Sequence, residues 1–208
     1  MDLLNYEVRE HVIQLKHDLN FKYIRFANIF SEKMLLNTGD RDGGYNFSHL
    51  DANLEFILDQ KLKPHIELGL KPKQIHGTIM NLILKEDDGA SGMTWPRFLK
   101  TFDALMKHLV QHYGRAEIDT WRMEYWMDEA TWFGQEGKRQ YIQQFSQLQK
   151  LLRTNSKEIR LGGCGLLMDR LEETMESFLM EWKENASMPD FLSTTYFGYE
   201  RYEEYRDD

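Results

Sequence analysis

What most constrains this chain is a rhythm. Stretches with an apolar residue every three or four positions alternate with short β-branched and aromatic runs. Glu7 to Leu19 places Val8, Val12, Ile13, Leu15 and Leu19 near a 3.6-residue period, which predicts a helix that Asn20 can end. A strand follows over Phe21 to Ile29. A second helix is expected over His49 to Gln60, with Ser48 as N-cap and Leu50, Leu54, Ile57 and Leu58 on one face. Pro64 to Leu68 reads as a short strand. Thr94 opens a third helix, in which Pro96 sits where a missing N–H costs nothing, and Gly114 stops it after Tyr113. The pattern then repeats: strand Thr120 to Trp126, helix Gly137 to Leu152, strand Ile159 to Gly163, helix Asp169 to Asn185, strand Phe191 to Tyr196. Asn37 to Gly44 is loop chemistry, and Gly69 to Gly92 is a long excursion.

This is a count of about five strands, each preceded by a helix. Parallel neighbours need crossovers, so strands separated by whole helices are expected to run parallel. Either a doubly wound sheet or a (β/α)8 barrel meets that requirement. The Gly162-Gly163-Cys164-Gly165 run is not the G-x-G-x-x-G fingerprint of a dinucleotide site. A complete barrel has eight strands in about 250 residues. The expected fold is therefore α/β, a partial (β/α)8 TIM barrel. No break in composition divides the chain, so residues 1–208 are read as one domain.

Charge and cysteine content narrow the function. With 34 acidic against 26 basic residues, the formal net charge is −8, and no basic run is present to lie along phosphates. Duplex binding by this chain and docking on anionic lipid are both disfavoured. Cys164 is the only cysteine, which excludes an intrachain disulfide and a multi-cysteine zinc site. A reducing, cytoplasmic setting is expected. The start Met1-Asp2-Leu3-Leu4-Asn5-Tyr6-Glu7 has no basic n-region, so no signal peptide is expected, and no window nears the roughly 18 apolar residues of a membrane span.

In a barrel, functional groups gather at the C-terminal ends of the strands. Those ends bring Arg25 to Asn28, Glu67, Glu124 to Glu129, Gly162 to Gly165 and Ser193 to Tyr196 to one face. Aromatic rings beside carboxylates and amides suit a sugar, whose ring faces stack and whose hydroxyls hydrogen-bond. Other signals are weaker. His108 and His112 have the i, i+4 spacing of a zinc pair, but Leu109 stands where the zincin motif has Glu, so the pair is read as solvated. Asp40-Arg41-Asp42-Gly43 lacks the further oxygens of a calcium loop. Cys164 is read as a small packed thiol. No metal and no cofactor are expected.

Several stretches carry a family resemblance. Trp121-Arg122-Met123-Glu124-Tyr125-Trp126-Met127-Asp128-Glu129 resembles the acid/base strand of glycoside hydrolase family 39, the β-xylosidase and α-iduronidase group, where Glu-x-Trp-Asn-Glu-Pro is found. Tyr23-Ile24-Arg25-Phe26, Tyr45-Asn46-Phe47, Lys63-Pro64-His65-Ile66-Glu67-Leu68-Gly69, Leu161-Gly162-Gly163 and Asp190-Phe191-Leu192-Ser193-Thr194 resemble further motifs of that family, in order and with fitting spacing. The resemblance implies strands two to six of the barrel. It departs at four places. Ala27, Met127, Cys164 and Thr195 stand where the family has His, Asn, Pro and His, and the acid/base slot holds Asp128, or Glu129 across a one-residue bulge. The family's nucleophile lies on strand seven, outside this chain.

The resemblance therefore implies a non-catalytic, carbohydrate-sensing domain like the family-39-like region of AraC/XylS-type bacterial transcriptional regulators. The alternative is a truncated or divergent family 39 glycosidase hydrolysing O-glycosidic bonds. Arg25, Asn28, Glu67, Glu124, Trp126, Asp128 and Tyr196 are expected to line the pocket. If the protein is active, Asp128 or Glu129 serves as acid/base. The implied partners are a small carbohydrate, a second copy of the chain, and DNA only through a separate helix-turn-helix domain; no membrane partner is expected.

Overall fold

The structure, a computed structural model, describes residues 3–31, 34–36, 44–68, 94–126, 135–167 and 175–195. The described elements are α1 (Tyr6–Leu19), β1 (Tyr23–Phe26), α2 (Ser48–Asp59), β2 (Lys63–Glu67), α3 (Trp95–Tyr113), a one-turn α4 (Arg115–Ile118), β3 (Arg122–Trp126), α5 (Gln135–Asn155), β4 (Arg160–Leu167), α6 (Met175–Asn185) and β5 (Phe191–Thr195). The alternation is the expected one, with boundaries displaced by a few residues. Ser48 is the first helical residue rather than the cap, because the Asn46 side chain already accepts its N–H at 3.0 Å. β4 runs to Leu167, past the expected end at Gly163: a register shift between Gly163 and Leu166 lets it go on pairing with β5. α4 was not expected; Gly114, at φ 81°, breaks α3 and lets one more turn start. The excursion at 69–92 and the Asp40–Gly43 loop lie outside the described residues, as do Asp128, Glu129 and Tyr196.

All five strands are parallel, and their spatial order is β1-β2-β3-β4-β5. That order decides between the two architectures. A doubly wound sheet reverses direction at a switch point and carries helices on both faces. A sheet that always advances to the next neighbour by right-handed crossovers puts every helix on one face. The result is a curled half-barrel, the partial TIM barrel.

The helix-covered face holds the core. Ile24 and Phe26 of β1, Ile66 of β2, Met123 and Tyr125 of β3 and Leu161 of β4 are all buried there. Leu50, Leu54 and Ile57 of α2 and Phe98, Phe102, Leu105 and Leu109 of α3 cover them, at the three- and four-residue spacing that makes one helix face. Tyr141, Phe145, Leu148 and Leu152 of α5 continue the layer, with Phe178 and Trp182 of α6. α1 contributes less than its periodicity suggests: Val12 is buried, whereas Ile13, Leu15 and Leu19 are exposed. Burying one such side chain contributes about 1.5–3 kcal/mol, so the aromatic α3–α5–α6 layer carries more of the stability than α1 does.

Side chains alternate across a strand, so the residues between these core positions point into the curl. Arg25 pairs in register with His65 and His65 with Arg122; Glu67 pairs with Glu124 and Glu124 with Gly162. Gly162 is small for a reason: the Phe191 ring lies over its Cα, where a Cβ would collide with three ring atoms. That ring also meets His65 edge-on, with centroids 5.5 Å apart. Gly162→Ala is expected to push Phe191 off this position and destabilise the chain by about 1–3 kcal/mol, measured as a lower urea midpoint. An unchanged midpoint would mean that Phe191 is free to move.

Candidate functional site

The inner face of a parallel half-barrel is built from alternate residues of neighbouring strands, so its chemistry is set by two-residue steps. Arg25 comes from β1, His65 and Glu67 from β2, Glu124 from β3 and Ser193 from β5. Register brings Glu67 and Glu124 side by side as direct Cα partners. Two adjacent carboxylates repel unless a cation lies between them. Arg25 supplies it: its Nη2 is 2.7 Å from Glu67 Oε2 and its Nε donates to Glu124 Oε2 at 2.6 Å.

Glu124 is the hub. His65 Nε2 stands 3.2 Å from Glu124 Oε2, and Ser193 Oγ donates to Oε1 at 2.7 Å. Ser193 is itself held, because its Oγ accepts the Gly165 N–H at 2.9 Å. Burial pushes the Glu124 carboxyl up, but the hydrogen bonds from His65 and Arg25, the Arg25 charge and the Ser193 hydroxyl together outweigh it and hold its pKa at about 2. The same carboxylates raise the pKa of Arg25 against the opposing effect of its own burial. Both glutamates are only 1% exposed, whereas the Arg25 side chain is 43% exposed. The network thus presents a positioned guanidinium to the curl and hides the carboxylates beneath it.

This geometry limits the chemistry. A general acid works best with a pKa near the working pH. Glu124, held at about 2 and with both oxygens engaged, cannot donate a proton at neutral pH. Its arrangement orients Arg25 and ties β1, β3 and β5 together. Cys164, fully buried, has its thiol pushed up by burial and is no nucleophile.

Of the residues expected to line the pocket, Arg25, Glu67 and Glu124 come together as one cluster. Asn28 lies just past the end of β1 in the left-handed region at φ 66°, where its carbonyl accepts the Ser31 N–H at 3.0 Å. Trp126 ends β3, half-buried, with its indole covering the Cα of Gly165, which is also left-handed at φ 69°. Asp128, Glu129 and Tyr196 are outside the described residues. The sequence places Ser193 on the strand-end face without making it a pocket residue, and does not single out His65. A two-residue step was the available signal: His65 precedes Glu67 by two, so it shares its face.

On a different surface, a groove of about 610 Å³ between α5 and α6 is lined by Arg139, Gln143, Gln147 and Glu181 among others. It lies on the helix layer, away from the strand-end cluster. No described helix is long and apolar enough to cross a membrane.

The family model for glycosyl hydrolases family 39 matches residues 3–205. A β-xylosidase of Caldicellulosiruptor saccharolyticus is 22% identical over 192 residues, which are 89% of this chain and 38% of that protein. A β-xylosidase of Geobacillus stearothermophilus is 21% identical over 200 residues, 91% of this chain and 39% of that protein. A monomeric β-xylosidase of Caulobacter crescentus CB15 superposes with a TM-score of 0.73 at 22% identity, covering 95% of this chain and 40% of the other. The chain thus spans about two fifths of the length of these relatives.

Replacing Arg25 tests the cluster. Arg25→Ala leaves two buried carboxylates without their cation and is expected to cost about 2–3 kcal/mol, reduced from the buried-pair range because Arg25 is half open to solvent. The pH dependence has a definite sign. The folded pKa of Glu124, about 2, is below its ordinary value of 4.5, so its stabilisation is present above about pH 4.5 and is lost as pH falls toward 2. Arg25→Ala should flatten or reverse that slope in urea melts from pH 3 to 7. An unchanged slope would remove Arg25 as the controlling cation.

Proposed function

This chain belongs to glycosyl hydrolases family 39, and from that premise we propose that it is the sugar-handling part of a β-xylosidase-like glycosidase acting on O-glycosidic bonds. The observation that carries the proposal is the family match along residues 3–205, on a sheet whose inner face positions Arg25 over Glu67 and Glu124. In this reading residues 1–208 act as one domain. The sugar lies at the C-terminal ends of the strands, where Arg25, Asn28, Trp126 and Tyr196 contact its hydroxyls and ring faces. Asp128 or Glu129, immediately after β3, donates the proton to the leaving oxygen. Glu124 and Glu67 hold Arg25 in place and take no part in proton transfer.

Retaining hydrolysis also needs a second carboxylate about 5–5.5 Å from the first. Glu124 does not fit, because both of its oxygens are occupied beneath Arg25. The family resemblance puts the nucleophile on strand seven of the barrel, and the chain spans 38–39% of the relatives' length.

A second reading is favoured by a specific observation. Ala27 and Met127 lack the donors and acceptors of the His and Asn that the family resemblance places there, Thr195 offers a hydroxyl that cannot titrate as the resembled His does, and Cys164 stands in place of Pro. In this reading the domain holds a small carbohydrate without cleaving it and serves an AraC/XylS-type regulator in the cytoplasm. DNA is gripped by a separate helix-turn-helix domain. Copies of the chain associate through β1 and β5, the strands at the two ends of the described sheet. The ligand acts by favouring one arrangement of the domain over another.

One experiment separates the two. The full-length protein is assayed with an aryl β-xyloside and melted against pentoses, hexoses and sugar phosphates. Turnover that falls about 10²–10⁴-fold on Asp128→Ala or Glu129→Ala supports the glycosidase. No turnover, together with a melting temperature raised about 5–10 °C by a sugar at a hundred times its Kd, supports the sensor. Neither turnover nor a shift would sink both.

A further inference from the structure

On the helix layer, across the sheet from the Arg25 cluster, two i, i+4 pairs face each other. α2 presents Asp51 and Glu55, and α3 presents His108 and His112. His108 Nε2 donates to Asp51, 2.8 Å from Oδ1 and 3.0 Å from Oδ2. His112 Nε2 stands 3.5 Å from Glu55 Oε1. One ligand atom from each of Asp51, His108 and His112 lies within 4.8 Å of the others. We propose that Asp51, His108 and His112 form a three-ligand binding site for a divalent transition-metal ion of the zinc type, which clips α2 to α3 and leaves the fourth position to water.

The distances suit such an ion. Zinc held at 2.0–2.1 Å by four ligands in a tetrahedron separates the ligand atoms by about 3.3 Å. The His108–Asp51 pair is slightly closer than that, and the Asp51, His108 and His112 ligand atoms all lie within 4.8 Å of one another, so side-chain shifts of about 1–1.5 Å bring the three onto one ion. The metal takes the place of the Nε2 proton that Asp51 now accepts. The Asp51 carboxylate offsets part of a dication's charge directly, and Glu55, 3.5 Å from His112, adds a second negative charge beside the site. This donor set separates zinc from the harder ions: calcium and magnesium take oxygen ligands, whereas imidazole suits zinc, copper, nickel and iron.

The surroundings are those of a supported site. Tyr113 Oη donates to Asp51 Oδ1 at 3.0 Å, which fixes the carboxylate from behind. The Phe47 ring stacks on His108 with centroids 4.3 Å apart, and His112 stacks on His108 at 5.4 Å, so the rings are already oriented. Asp51 and His108 are only partly exposed, while Glu55 and His112 are open to solvent, which gives an ion a way in. The histidine pair alone lacked the zincin Glu. The carboxylates arrive from a helix 57 residues earlier, brought there by the crossover through β2.

The test uses the 208-residue chain after dialysis against EDTA. Zn²⁺ is titrated calorimetrically, and Co²⁺ is added as a spectroscopic probe. The expected result is one ion per chain, Co²⁺ ligand-field bands of tetrahedral intensity, and a melting temperature about 5–10 °C higher with Zn²⁺ at a hundred times its Kd. His112→Ala, an exposed position whose loss leaves the core intact, removes a direct ligand and should weaken binding by more than the roughly 10–100-fold that an outer-shell change costs, and abolish the tetrahedral Co²⁺ bands. His17→Ala, far along on α1 and fully open to solvent, should change neither. Absence of stoichiometric binding, or equal weakening by His17→Ala and His112→Ala, would overturn the site. The outcome does not depend on whether the strand-end cleft cleaves or merely holds a sugar.

Discussion

One guanidinium keeps two buried carboxylates from repelling each other. Parallel pairing makes Glu67 and Glu124 direct neighbours on the inner face, and both are almost wholly removed from water. Without Arg25 between them, one would have to take up a proton or move, and the curl of β1, β2 and β3 would lose its common anchor. Because Arg25 reaches both, the strands can bring acidic residues together in a half-closed interior. Ser193 then couples β5 to the same hub through Glu124, and the Gly165 N–H secures Ser193 in turn. All five strands meet at this single network, four through side chains and β4 through the Gly165 N–H, which is why it matters to the shape of the cleft as well as to its charge.

The network also divides labour among the acidic groups. A carboxylate whose oxygens are filled by Arg25, His65 and Ser193 is a fixed negative charge, useful for orienting a cation and useless for moving a proton. The family membership says what kind of reaction such a scaffold supports, and the replacements at Ala27, Met127, Cys164 and Thr195 bear on whether it is carried out. Arg25 is left as a fixed, partly exposed donor facing the curl.

Much of the architecture was legible because helices and parallel strands have different periods. The apolar spacing of Leu50, Leu54 and Ile57 announced α2, and Pro96 and Gly114 marked the ends of α3. α1 shows where that reasoning overreached. Ile13, Leu15 and Leu19 fit the period yet are exposed, because periodicity shows that a face is apolar and not that anything covers it. α4 was missed for a related reason: a single turn has too few residues to display a period. Arg25, Glu67 and Glu124 could be proposed from their place at strand ends. His65 carries the same signal through its two-residue step from Glu67, and Ser193 stands at a strand end, but their contacts with Glu124 depend on which strand lies beside which, and that is settled only by pairing.

The sequence by itself determined the alternation of helix and strand, the parallel sense that whole-helix crossovers impose, and the gathering of acidic and aromatic residues at the strand ends. These follow from local periodicity and from the length of chain needed to return to the start of a strand. Only the tertiary structure decided that the strands lie in sequential order, so that all the crossovers fall on one face and the sheet curls. It also decided that Arg25 spans two glutamates 42 and 99 residues farther along the chain, and that a histidine pair on α3 meets a carboxylate pair on α2. The physical reason is the same in each case. Contacts between residues far apart in the chain depend on strand order and register, which many sequences of this period could satisfy, and which packing and charge pairing select.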